Sequence, residues 1–429
     1  MKKRNLFFAL AAGMVMFSAC SNDDDVINGG NNGLNEEVQQ LVLQVASSGD
    51  GLQTRAGRPL LSSEAKQTIE NVKVIICDGS DAIKYVTKID NWGTSGSTEY
   101  KTNGHGREKT IEIPKDKKLA AGKYTVYAFG YSTNSDYDLT TITNATEGST
   151  FKANTTLSFK KDNPTNKIGE EIFAGDLSLT VETGKGFKTP VVLNRQVAGT
   201  FAYLKDIPYI ADASKLQLVA SNRNSQLVLG KFGNFDLTGN GENNDGHINY
   251  VVNGTEAAQD KVIYTIELSE WFTQVKDDNN DGLIDGGDNW KSADHKDYAS
   301  GSVFGGSFLI PFKKGDTETF KLQLTKANGT DLLREWVVKL PADDKQREAH
   351  SLWSWDTTSF TEETSVTDDA DKYSVVRNHL YGIGTRTLDE PTDPGTNPDI
   401  DEPESLNTKQ ELTLRVNDNW EVIHNMEIE

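Results

Sequence analysis

Apolar and polar residues alternate with a period of two along much of this chain, which predicts strands whose successive side chains point to opposite faces of a sheet. The first such run is Val38 to Val45, where Leu41, Leu43 and Val45 share one face. Further runs follow at Val72 to Cys77, Ala82 to Ile89, Thr110 to Ile113, Tyr124 to Tyr131, Thr155 to Phe159 and Leu177 to Val181. A second series comprises Val197 to Tyr203, Leu216 to Val219, Val262 to Leu268, Ser307 to Pro311, Thr319 to Leu324, Glu335 to Leu340 and Tyr373 to Ile383. Short strands separated by Gly, Asn, Asp and Ser clusters predict an antiparallel sandwich architecture. Helices are expected to be few and short: Asp136 to Lys152 reads as a loop with room for a short helix, and Asp343 to Trp355 as one short helix.

The last clear alternation repeats the first. Leu412, Leu414 and Val416 reproduce the Leu-x-Leu-x-Val spacing of Leu41, Leu43 and Val45, so either segment suits the same place in a sheet. Trp420, Val422, His424, Met426 and Ile428 continue the tail on a second alternating run. Between the second strand series and this tail lie Pro391, Pro394, Pro398 and Pro403 among acidic residues, which exclude helix and central strand and predict an extended spacer. At about 3.1 Å per extended residue, such an arm spans several tens of ångströms and lets the tail reach away from its own domain.

Composition narrows the setting. At 429 residues the chain is long enough for more than one core, and 36% hydrophobic content suits half-exposed sheets with polar loops. The net charge of -20 repels phosphate backbones, so nucleic acid is excluded as a partner and protein or glycan is expected. Two cysteines, Cys20 and Cys77, cannot build a disulfide framework or a multi-cysteine zinc site. Met1-Lys2-Lys3-Arg4, the apolar run Leu6 to Phe17 and Ser18-Ala19-Cys20 read as a secretory signal ending in a lipobox, leaving Cys20 as the lipidated residue. Cys77 lies in a strand-like run, where a buried, inert thiol is expected. Ser47 to Pro59 is loop-like, and Arg55 before the small Ala56 offers an arginine-specific protease an unhindered bond. Alone, that arginine is also compatible with a plain surface loop.

One stretch has metal-ligand spacing. Asp277, Asn279, Asp281, the Leu283 carbonyl, Asp285 and Asp288 fit the order of a calcium loop, with Gly282 at the sharp turn. Asp288 stands where a longer Glu closes such loops, and the other reading is a polar turn without an ion. The six histidines are scattered, no nucleophile elbow or phosphate loop occurs, and no enzyme is expected.

Taken together, the lipobox at Cys20, Arg55 after a first strand, the Val192-Leu193-Asn194-Arg195-Gln196-Val197-Ala198 turn between domains and Tyr373-Ser374-Val375-Val376-Arg377-Asn378-His379-Leu380-Tyr381 resemble the type V fimbrial pilins, or fimbrillins, of Bacteroidales. The acidic residues behind Cys20 also resemble the address that carries Bacteroidales lipoproteins to the cell surface. The resemblance implies an all-β chain of two antiparallel Greek-key, transthyretin-like β-sandwich domains. On it, residues 1–20 are the signal peptide, 21–55 a tether and removable first strand, 56–195 and 196–387 the two sandwiches, and 388–429 the arm and donor strand. It further implies a lipoprotein precursor at the outer membrane and removal of the first strand by an arginine-specific protease. The donor strand of a neighbouring pilin then replaces it in a homopolymer that also meets tip and anchor subunits and a surface receptor. The competing reading is a monomeric surface lipoprotein that binds glycan or protein through its loops, with both terminal strands staying home.

Overall fold

The structure, a computed structural model, describes residues 38–45, 69–92, 98–99, 107–152, 155–158, 171–220, 226–230, 232, 235–236, 247–252, 261–291, 294–295, 298–311, 320–339, 350–355, 360–363, 375, 377, 380–384, 403–407, 411–413 and 415–417. Alternation does what the pattern demands in the first strand, β1 (Gln39–Val45), whose burial alternates residue by residue. The following strands are β2 (Asn71–Asp78), β3 (Ile83–Ile89), β4 (Thr98–Glu99), β5 (Arg107–Glu112), β6 (Gly122–Tyr131), β7 (Thr155–Ser158), β8 (Phe173–Val181), β9 (Phe187–Arg195) and β10 (Ala198–Lys205). Eight of these form one hydrogen-bonded path in the order β3-β2-β6-β8-β9-β1-β5-β4. The β8–β9 link is only the pairs Phe173 with Arg195 and Ala174 with Asn194, so the path folds over at this corner and encloses a core.

That core is an apolar cluster that includes Leu41, Leu43, Val45, Val72, Val74, Ile76, Trp92, Val126, Phe173, Val191 and Leu193. The near-continuous apolar run of β2 is explained by burial on both faces. Val72, Val74 and Ile76 enter this first core, while Ile75 and Cys77 enter a second, larger one. The larger core reaches through Phe129, Phe151 and Phe232 into the later sheets. There, β10 lies between Val303–Leu309, which it pairs antiparallel, and Leu380–Ile383, which it pairs parallel. A second five-stranded sheet runs Lys261–Glu267, Lys215–Ala220, Phe320–Thr325, Leu332–Lys339 and Glu411–Thr413. Side chains of both sheets, among them Tyr203, Leu216, Ile266, Leu322, Trp336 and Tyr381, share the larger core.

The all-β sandwich class is as the alternation indicates, with three departures in detail. The sheets are mixed, because β1 with β9, β10 with Leu380–Ile383 and His247–Val252 with His350–Trp355 are parallel pairs. The helix expected within Asp343 to Trp355 is corrected over its described part. His350–Trp355 is a strand between His247–Val252 and Phe360–Glu363, and its distant partners decide the conformation. The segment read as a loop over Asp136 to Lys152 holds one short helix, Thr140–Thr143. Finally, the turn expected at Val192 to Ala198 is confined to its last part, since β9 continues through Arg195.

The described residues of the tail, 411–413 and 415–417, are seated on the chain's own sheets instead of extending away from them. Glu411–Thr413 pairs parallel with Val337 to Lys339, and Arg415–Asn417 pairs antiparallel with Leu380 to Gly382 in the other sheet. The end of the arm also lies on the body, where Glu404–Ser405 pairs with Leu204 and Lys205 and Leu406 is buried.

Candidate functional site

β1 occupies a slot between two strands that do not pair with each other. It runs parallel to β9, with Leu43 opposite Val191, and antiparallel to β5, with Leu43 opposite Lys109. Leu41, Leu43 and Val45 are 0% exposed. Burying each aliphatic side chain contributes about 1.5–3 kcal/mol, so the strand is a major part of the first core. The outward residues are held weakly, Gln40 to Glu112 and Gln44 to Glu108, both at 3.4 Å. At the entrance the Phe187 N–H donates to the Val38 carbonyl at 2.9 Å, and the Ile113 N–H donates to the Gln39 carbonyl at 2.8 Å. The backbone comes so close there that a Cβ on Gly186 would stand 2.1 Å from the Val38 oxygen, which is why a residue without a side chain sits at that position.

The sequence-predicted ion loop is well ordered by its own hydrogen bonds. Asp277 accepts from the N–H groups of Asp281 and Gly282 at 3.2 and 2.8 Å, and Asn279 Oδ1 accepts from Asp281 at 2.9 Å. Asp281 accepts from Leu283 at 2.9 Å, Asp285 from Gly287 at 2.7 Å, and Asp288 from Asp278 and Asp285 at 2.8 and 3.0 Å. Gly282 has φ +87°, the left-handed turn that the spacing calls for. Leu283–Ile284 pairs with Ile207–Pro208, fixing the loop to the body. The residues offer oxygen donors in the order a calcium ion takes, but among the described residues no three His, Cys, Asp or Glu side chains converge as a preformed metal group.

A second constellation, to which sequence reasoning assigned no role, lies where β9 passes into β10. Glu171 and Arg195 are 0% and 2% exposed and form an ion pair at 2.8 Å, with the Arg195 guanidinium 4.9 Å from the centre of the Phe173 ring. Next to it, Gln196 donates to the carbonyls of Ala174, Asn194 and Phe232 at 3.3, 2.7 and 3.1 Å and accepts from the buried Arg377. Fully buried charge survives only when paired and hydrogen-bonded, and these contacts tie β8, β9 and the residue-377 segment together. The available signal was a charged residue ending an apolar strand, which does not reveal its direction. Cys77 is buried, and its thiol is pushed up to about 11, first by burial and then by Asp81 and Asp78, so it is unreactive at neutral pH.

The family of fimbrillin-A associated anchor proteins Mfa1 and Mfa2 matches residues 57–282, just over half of the chain. The chain belongs to this family. Its solved structural neighbours include the fimbrial anchor protein Mfa2 from Porphyromonas gingivalis, at 10% identity and TM-score 0.36, covering 89% of this chain and 97% of that one. The tip fimbrial protein Mfa3 of the same organism is 10% identical at TM-score 0.38, covering 88% and 99%. A fimbrial assembly protein from Parabacteroides distasonis is 11% identical at TM-score 0.35, covering 82% and 93%. No curated relative matches the chain. The fimbrillin-associated family is one of structural surface proteins, and this member is not an enzyme.

In this fimbrillin-associated chain the structure brings Leu41, Leu43 and Val45 together in one slot and places Asp277 to Asp288 in one turn. Cys20, Arg55, Ala56, Leu414, Trp420, Val422, His424, Met426 and Ile428 lie outside the described residues. For Leu412 and Val416 the backbone positions are described, each in a different sheet.

Proposed function

We propose that this cell-surface fimbrial subunit is of the shaft type, assembled by exchange of β1 for the tail of a neighbouring copy. The observation that carries the reading is the slot itself. It holds one Leu-x-Leu-x-Val segment with all three side chains fully buried, and the chain contains a second segment of the same spacing. Losing β1 takes away several kcal/mol from a domain stable by about 5–15 kcal/mol, and an unfilled slot leaves the edges of β9 and β5 open to a strand donor. Head-to-tail donation does not close on itself and builds a filament. The division at residues 195 and 196 into an acceptor sandwich and a tail-bearing sandwich is part of this proposal, as are an arginine-specific protease acting between Arg55 and Ala56 and a surface receptor as partner.

Incubating the full chain with such a protease tests it. The expected result is loss of everything before Ala56 and a ladder of oligomers, abolished when the residues after Thr408 are deleted. Clean cleavage with no ladder overturns the shaft reading. One observation favours the alternative, a monomeric surface lipoprotein binding glycan or protein: residues 411–413 and 415–417 are paired in cis. On that reading, cleavage leaves a monomer. Membrane attachment of the precursor is proposed through lipid on Cys20. Fatty-acid labelling of wild type that persists in Cys20→Ser would sink it. We likewise propose calcium in the 277–288 loop, on its donor order and the turn at Gly282. A chelator is then expected to lower the melting temperature of wild type and to leave Asp281→Ala unmoved, whereas identical wild-type melts with and without chelator overturn the assignment.

A further inference from the structure

The buried face of β1 has one polar member. Gln39 is 1% exposed, and its side-chain amide meets both backbone groups of a single residue 80 positions away. Its Oε1 accepts from the Leu119 N–H at 2.8 Å, and its Nε2 donates to the Leu119 carbonyl at 3.0 Å. Leu119 is itself buried, between the short 3-10 turn Lys115–Lys117 and the start of β6, so one side chain in the slot satisfies two buried backbone groups.

This contact does what the three apolar residues cannot. A strand with period two that slides by one residue turns its apolar side chains outward, which burial forbids. Sliding by two residues keeps apolar side chains inward, and Leu-x-Leu-x-Val tolerates it. Only a position that differs chemically from the rest distinguishes the two-residue slips, and in this slot that position faces Leu119. An occupant shifted by two leaves the Leu119 N–H and carbonyl buried without the amide that answers both.

We propose that the Leu119 backbone is the register-reading subsite of the β1 slot, and that Gln410 is the side chain that satisfies it when the tail of a second copy fills the slot. The inference rests on the donor-strand reading above and adds its specificity determinant. Gln410 precedes Leu412 by two residues, as Gln39 precedes Leu41. A donor entering in the direction of β1, parallel to β9, therefore brings its glutamine to Leu119 only when Leu412, Leu414 and Val416 take the places of Leu41, Leu43 and Val45. A two-residue slip brings Leu412, which has no polar group, or Thr408, which has one short hydroxyl. An occupant running the other way carries its glutamine to the far end, so the same contact also selects direction.

The test uses the full chain cleaved by an arginine-specific protease and a synthetic peptide of residues 408–429. Capture of the Gln410→Leu peptide is expected to be roughly tenfold to a hundredfold weaker than wild type. Register is read by disulfide trapping. In the β1 register the peptide carrying Thr413→Cys takes the place of Val42 and traps on Thr110→Cys. With Gln410→Leu the trapping is expected to spread to Glu108→Cys and Glu112→Cys. Independently of any exchange, Gln39→Leu in the uncleaved chain is expected to speed hydrogen exchange of the Leu119 amide about tenfold or more. Equal capture of both peptides in one register overturns the role of Gln410 and leaves the donor-strand reading standing. Failure to capture even the wild-type peptide overturns both. Unchanged exchange at Leu119 in Gln39→Leu overturns the subsite itself.

Discussion

Leu43→Asp is expected to unseat β1 and to remove most of the stability of the first sandwich. Leu43 is fully buried in the middle of the strand, opposite Val191 on one side and Lys109 on the other, so truncation to alanine alone costs about 2–5 kcal/mol. A carboxylate adds the cost of burying a charge in an apolar core, and the cheapest escape is for the strand to leave. The whole of β1 then becomes protease-sensitive, and thermal unfolding loses its cooperative first-core transition. Gln44→Asp is the control, because Gln44 is half-buried on the outer face and its 3.4 Å contact is weak; it is expected to cost under about 1 kcal/mol. If Leu43→Asp melts within a few degrees of wild type, β1 is not the structural element its burial indicates.

The second large effect is expected at Arg195. Arg195→Met removes the guanidinium that pairs with the fully buried Glu171 carboxylate at 2.8 Å, which costs about 3–5 kcal/mol, or a fall in melting temperature of roughly 10 °C. The double variant Glu171→Met with Arg195→Met is expected to recover most of that loss, because apolar residues of similar volume replace a buried ion pair at little net cost. A double-mutant cycle by denaturant unfolding gives the coupling directly. Additive single effects, with no recovery in the double variant, would show that the two residues act separately. Gln196 and Arg377 adjoin the pair, so damage at Arg195 is expected to spread to the segment leading into Leu380–Ile383.

How much of this was legible depends on the range of the interaction that decides each feature. The faces of β1 were legible because alternation is local, and all three of Leu41, Leu43 and Val45 are inside. β2 was legible as a strand over Val72 to Cys77, but its burial on both faces comes only from the two cores it separates. His350–Trp355 misled because its aromatic and polar residues suit either a helix or a strand, and the parallel partner at His247–Val252 lies about a hundred residues earlier. The ion pair was invisible because Glu171 and Arg195 are ordinary surface residues by composition, and only the β8–β9 corner turns them inward.

The same division runs through the slot. From the sequence alone came the family resemblance, the all-β class, the buried face of the first strand, and the tail that repeats its spacing. Tertiary structure decided that β1 lies between β9 and β5, that Gly186 lets the backbone pass, that residues 411–413 and 415–417 rest on two different sheets, and that Gln39 meets Leu119. The physical reason is the period of a strand. Alternation specifies which face is buried but is unchanged by a shift of two residues, so register and direction belong to backbone groups that only the folded chain brings alongside.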